Sequence, residues 1–210
     1  VTGDVTGLRH PTMSRLLLKF VQTVNRLASR IIIWPRSVET MRAMRLNSAD
    51  VPHGLLGIIG AVDGTHVKIQ RPGENEAWYV NRSHFHSINV CGIVDAQRKF
   101  LFLSADRCGS EHDSTVLRET VIGRRLEDGL EEGVVLIGDR GYRLAPFLLT
   151  PYNNPTLSHQ RRYNSSLSSS RSRVEQAFGI WKRRFGCLHQ ELRMTPQRAS
   201  ATIVACAVLP

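Results

Sequence analysis

No long apolar run occurs anywhere in this 210-residue chain. Its apolar stretches, such as Val134 to Ile137 and Leu55 to Ile59, fall far short of the roughly 18–20 residues a membrane helix needs. No basic-then-apolar signal segment opens the chain. Cysteine is scarce and scattered, at Cys91, Cys108, Cys187 and Cys206, with no CxxC pair. That excludes a disulfide framework and points to a reduced, intracellular chain. A zinc site drawn from Cys187, His189 and others is possible in principle, but it lacks paired spacing. No internal repeat is present. The Phe/Tyr-bearing strand motif of single-strand RNA readers is missing, and no recognition helix-turn-helix is evident. The chain begins at Val1 and stops inside an apolar stretch, so it reads as a piece of a longer protein.

Acidic residues are also in deficit. Eighteen Asp and Glu face 28 Lys and Arg, a formal charge of +10. So basic a chain meets a polyanion, nucleic acid before an anionic membrane surface, unless the charge only keeps it soluble. The distribution favours a partner. Between Arg161 and Arg198 stand nine basic residues, opposed only by Glu175 and Glu191. Such a stripe suits a phosphate backbone.

With 41% apolar and 22% charged residues the composition is globular. Met13, Leu16, Leu17, Phe20, Val21, Val24 and Leu27 recur at steps of three and four, which predicts a helix over residues 11–30. Trp34-Pro35 breaks it, and a shorter helix follows from Ser37 to about Leu46. Ile59, Ala61, Asp63, Thr65, Val67 and Ile69 share one parity and so one face of a strand. Residues 88–94 and 100–103 are strands joined by a polar turn of hairpin length, Asp95 to Lys99. Residues 113–125 read as a helix, and Val134 to Ile137 as a short buried strand. Residues 150–172, rich in Pro, Asn and Ser, read as a loop. From Val174 the apolar stripe Val174, Phe178, Trp181 and Phe185 predicts a helix, and a last helix covers Thr195 to Leu209. The order predicts an α/β domain layered around a central mixed sheet.

Three carboxylates stand out. Asp63 lies inside an apolar strand, where an ionised group needs a cation or a set of donors. Asp139 emerges at the carboxyl end of the strand 134–137. Glu175 borders the apolar stripe of the helix from Val174. If they converge, hard oxygen ligands without thiolate suit Mg²⁺ or Mn²⁺. Two such ions, roughly 3.5–4 Å apart, clamp a scissile phosphate. Each residue also has a plain structural explanation. Ser172 and Glu175 have capping-box spacing, Gly138-Asp139-Arg140-Gly141 is turn-like, and Asp63 could pair with Lys68 or an arginine.

Ordered blocks along the chain then carry a resemblance. Gly60-Ala61-Val62-Asp63-Gly64-Thr65-His66-Val67 is similar to the first catalytic block of the PIF/Harbinger transposases and their domesticated nuclease relatives. Asn81-Arg82 with His86-Ser87-Ile88-Asn89, Gly109-Ser110-Glu111-His112-Asp113-Ser114 and Gly138-Asp139-Arg140-Gly141-Tyr142 resemble later blocks. So do Leu149-Thr150-Pro151-Tyr152, Arg162-Tyr163-Asn164 and Arg173-Val174-Glu175-Gln176-Ala177-Phe178-Gly179, the last followed by Lys182-Arg183-Arg184-Phe185. The likeness spans roughly residues 31–209.

The resemblance implies a ribonuclease-H-like three-layer fold and a DDE acidic triad on Asp63, Asp139 and Glu175. It implies Mg²⁺ or Mn²⁺ as cofactor and hydrolysis of DNA phosphodiesters, with transfer of the freed 3′-hydroxyl end to target DNA. A nuclear setting, a Myb-like DNA-binding partner and self-association come with it, and no membrane. A catalytically silent DNA-binding or scaffold protein on the same fold is the alternative. The chain then divides into an N-terminal helical region, 1–50, and a ribonuclease-H-like nuclease domain, 51–210, truncated at its C-terminus. Asp113 and His112 are secondary site candidates, with Asp113 also a good N-cap. Arg140, Arg173, Lys182, Arg183 and Arg184 are candidate phosphate contacts. His66, three residues after Asp63, belongs to the opposite sheet face, and Trp181 to the core. Departures from the family pattern are Cys108-Gly109 for Pro-Gly, Leu167 where histidine is common, and Leu209-Pro210 for Leu-His-Asn.

Overall fold

The computed structural model describes residues 10–209. The ends of the first and last segments named above, residues 1–9 and 210, lie outside the described residues. Three helices come first: α1 (His10–Asn25), α2 (Ala28–Ile31) and α3 (Val38–Asn47). The helix expected over 11–30 is thus divided at Arg26-Leu27. Ser37 caps α3, its hydroxyl accepting from the Thr40 amide. The sheet follows with β1 (Gly60–Lys68), β2 (Ser87–Val94), β3 (Phe100–Cys108), β4 (Leu136–Ile137) and β5 (Leu148–Leu149). Between them lie α4 (Glu76–Tyr79), α5 (Asp113–Glu119) and α6 (Val121–Glu127), and after them α7 (Ser158–Arg184) and α8 (Pro196–Val208).

Strand order is β3-β2-β1-β4-β5. The first three strands are antiparallel neighbours, while β4 joins β1 and β5 joins β4 in parallel. This is the mixed sheet the sequence predicts, with helices on both faces, preceded by helices, and it is consistent with a ribonuclease-H-like fold. The β2–β3 turn is held by Asp95, whose carboxylate accepts from the amides of Gln97 and Lys99.

Alternation along the strands builds two cores. On one face Val67, Ile88 and Val90 meet Val174, Phe178 and Trp181 of α7 and Ile203 of α8. On the other, Val62, Cys91 and Ile93 meet Val116 and Leu117 of α5 and Ile122 and Leu126 of α6. A third cluster seats α1 on α8 through Val21, Val24, Ala205 and Val208. Trp181 is buried, as expected. Among the described residues no helix is long and apolar enough to cross a membrane.

The loop expected over 150–172 is a correction. From Ser158 onward that segment is the first half of α7, one continuous helix of 27 residues and about 40 Å. The apolar stripe thins there to Tyr163 and Leu167, and polar links add to it. Asn164 accepts from the Tyr152 amide and donates to its carbonyl. Buried Ser170 accepts from the Leu55 amide. Gln160 receives the amides of Thr156 and Leu157 at the helix start. Residues 113–125 are likewise two helices rather than one. Thr120, in extended conformation, ends α5 and caps α6 through Gly123.

Candidate active site

The site begins with a register. In the β1–β4 ladder Gly60 faces Leu136 and Ala61 faces Ile137. Two residues further on stand Asp63 and Asp139. Because side chains alternate, both acids leave neighbouring strands at the same level and on the α7 face. Gly92, opposite Asp63 on β2, has no side chain. A Cβ there would lie 2.8 Å from the Phe178 ring, so the glycine lets α7 come down beside Asp63.

Helix α7 brings Arg171 and Glu175 to this place. One arm of the Arg171 guanidinium lies 3.3 Å from Asp63 Oδ2 and the other 2.6 Å from Glu175 Oε1. The i,i+4 spacing sets both on one helix face. Asp139 faces the same guanidinium across a cavity of about 320 Å³ lined by Asp139, Arg140, Asn164, Leu167, Ser168 and Arg171. Asp139 Oδ1 accepts from the Gly141 amide at 2.8 Å. Arg171 therefore joins two of the acids, and Asp139 shares a cavity with it.

The electrostatics agree. Burial pushes the Asp63 carboxyl up to about 6, and the charges of Asp139 and Asp113 push the same way. The Gly64 amide and Arg171 oppose the rise without cancelling it. Glu175 is half exposed, so its pair with Arg171 adds little stability. Ser172 donates to the Ser169 carbonyl inside the helix. It caps nothing, so the capping-box explanation of Glu175 is overturned. Asp63 pairs with Arg171, while Lys68 is turned to Glu191 at 3.8 Å.

The secondary candidates lie elsewhere. Asp113 belongs to the other sheet face, where its carboxylate rests against Gly64. Any Cβ on Gly64 would collide with it. It accepts from the Asn89 amide at 2.7 Å, and Arg82 stands 3.9 Å away. Asp113 is not the N-cap of α5. Exposed His112 holds that position, without a side-chain cap bond, because the Asp113 carboxylate is drawn inward to Asn89. His66 shares Asp113's face, bonded through Nδ1 to Ser87 Oγ at 3.0 Å.

The basic stripe divides. Arg140, Arg183 and Arg184 are exposed. Lys182 is a correction: it turns inward, where Nζ donates to Thr65 Oγ1 at 2.7 Å and to the His66 carbonyl at 2.8 Å. Burial lowers its pKa. Arg173 is another, since its Nε is buried without a hydrogen-bond partner. It lines a small cleft with Asp95 and Ser170. Arg171, which the sequence reading counted only as part of the stripe, is the residue that joins the acids. Its spacing of four from Glu175 was the available signal, concealed by the apparent loop.

A family model described as DDE superfamily endonuclease matches residues 62–210. The chain belongs to this family. Its match takes in Asp63, Asp139 and Glu175 alike. Among curated proteins, "Putative nuclease HARBI1" of Bos taurus and of Homo sapiens are each 30% identical over 210 residues. Each alignment covers 99% of this chain and 60% of the relative. "Protein ALP1-like" of Arabidopsis thaliana is 26% identical over 227 residues, covering 100% of this chain and 55% of that protein. The chain thus spans about 60% of the length of the relatives it matches best among these. No solved structure matches it.

Proposed function

We propose that this chain is a metal-dependent DNA endonuclease of Harbinger type. The observation that supports the reading is that Arg171 pairs with both Asp63 and Glu175 and lines a cavity with Asp139. The donors are hard carboxylate oxygens, which fit Mg²⁺ or Mn²⁺. The guanidinium stands where positive charge is required. Among the described residues no three acidic, histidine or cysteine side chains already form a cage for an ion. Asp63, Asp139 and Glu175 would hold the metal. A divalent ion held there would lower the pKa of an attacking water and offset charge on the leaving oxygen of a phosphodiester.

The chain's own residues supply the rest. Arg140 and Arg171 offer donors to phosphate oxygens at the cavity. Arg183 and Arg184, exposed at the end of α7, are phosphate contacts that set position rather than read bases. The cavity wall is fixed, because Asn164 is fully engaged with Tyr152. Transfer of a 3′-hydroxyl end, a Myb-like partner, self-association and action in the nucleus extend the same reading.

The test is a nicking assay on supercoiled DNA with Mg²⁺ or Mn²⁺. Asp63→Asn should lower the rate by more than about 100-fold, beyond what loss of a merely supporting residue around a metal costs, and leave DNA binding intact. Equal cutting by parent and variant would refute the triad. DNA binding without any metal-dependent cutting by the parent would favour the silent scaffold.

A further inference from the structure

The 18-residue connection between β1 and β2 is far longer than a hairpin needs. It is also firmly built. Asn81, almost fully buried, accepts from the amides of Ser83 and Phe85 and donates to Ser87 Oγ. Two non-glycine residues, Asn75 (φ 51°) and His84 (φ 60°), sit in the left-handed region. Such conformations persist only where the surroundings enforce them, and they cluster at functional sites.

What this frame presents is an indole. Trp78 is 59% exposed, whereas Trp34 and Trp181 are 8% and 5% exposed. Its backbone is anchored, with the Trp78 amide bonded to Asn75 and its carbonyl accepting from Ser110. Arg82, 80% exposed at its side chain, rises from the same segment. Among the described residues its ion-pair contact is Asp113 at 3.9 Å, and that carboxylate lies on Gly64, on the opposite face from Asp63. Arg71 and His86 are both engaged by Glu76, whereas Arg82 is held only by a long contact to Asp113 among the described residues. The connection leaves the sheet at the end where β3 also finishes and α5 begins.

We infer that Trp78 and Arg82 form a binding surface for an unpaired DNA strand on the α5 side of the sheet, across it from the acids. The inference rests on the nuclease reading for its substrate. An exposed indole stacks on a base only where that base is not covered by its neighbours in a duplex. An exposed arginine four residues along the same segment can take a phosphate of that strand. Together they would hold a stretch of unstacked strand on the α5 side, away from the bond being cut.

Tryptophan emission tests this directly, since Trp78 is the solvent-exposed indole of the three. The full chain is titrated, with chelator present, with a short oligothymidylate carrying a dye for anisotropy. Binding should quench the emission by about a third, one indole in three responding. Trp78→Leu should abolish the quench and weaken binding about tenfold, in the range of one lost base stack. Trp78→Phe, which keeps an aromatic face, should recover most of the affinity without the quench. Arg82→Ala should flatten the salt dependence by about 0.7 in log–log slope, one phosphate on a single strand. Unchanged emission at saturation, no binding, full affinity in Trp78→Leu, or equal quenching by a blunt duplex would each overturn the proposal. Quenching without metal-dependent cutting supports this surface while the nuclease reading fails. Cutting with unchanged emission does the reverse.

Discussion

Strand β1 points Asp63 toward α7 and Gly64 toward α5, and the two faces handle charge in opposite ways. On the α7 face a carboxylate within an apolar strand is left partly uncompensated. Its one guanidinium is shared with Glu175, and a cavity opens beside it. On the α5 face the strand gives up a side chain, so that the Asp113 carboxylate lies flat against the backbone and is tied to Asn89. The first arrangement stays short of cations, which suits a group that binds one. The second is a packed structural joint. An acid near a catalytic candidate is therefore not equivalent to it, and the sheet face decides the difference.

The largest expected effect would break this comparison outright. Glu175→Gln should cut metal-dependent nicking by more than about 100-fold, while Asp113→Asn, which keeps an oxygen for Asn89, should cost less than about tenfold. Equal losses would place both faces in the chemistry. Next comes pH. Asp63 titrates near 6 in the folded chain against 3.8 for the free group. The folded state therefore holds the extra proton. Its stabilising effect is complete below about pH 4 and lost as pH rises through about 6, a fall of at most about 3 kcal/mol. Asp63→Asn should remove that slope and be the more stable protein at pH 7, as urea unfolding would show.

A smaller effect probes the joint. Gly64→Ala should cost about 1–3 kcal/mol by overpacking. Pairing it with Asp113→Ala should restore part of the loss, because the two residues are in contact. Smallest of all, Ser172→Ala should shift stability by less than about 0.5 kcal/mol. A loss near 1 kcal/mol, the usual cost of a lost N-cap, would mean that α7 starts anew at that serine.

Much of this was legible beforehand. Asp63 declared itself by its apolar neighbours, and the β2–β3 turn by its polar residues at hairpin length. The first half of α7 stayed hidden because its contacts are polar and distant in sequence. Asn164 reaches Tyr152 and Ser170 reaches Leu55, and neither leaves an apolar period. The same gap concealed Arg171, whose role appears only once residues 171 and 175 share a helix face. Lys182 misled in the other direction. A lysine in a run of cations reads as surface, yet its ammonium bonds to β1 through Thr65 and the His66 carbonyl.

The short β1–β4 ladder has a consequence for how this chain can vary. Only Leu136 and Ile137 lock the fourth strand, and Asp139 hangs two positions beyond them. The stretch from Ile137 to Asp139 thus acts as a spacer of fixed length. One inserted or deleted residue there would swing the acid to the wrong side of the sheet. The exposed turn ahead of the strand, Asp128 to Leu130, carries no such burden and can lengthen or shrink at small entropic cost.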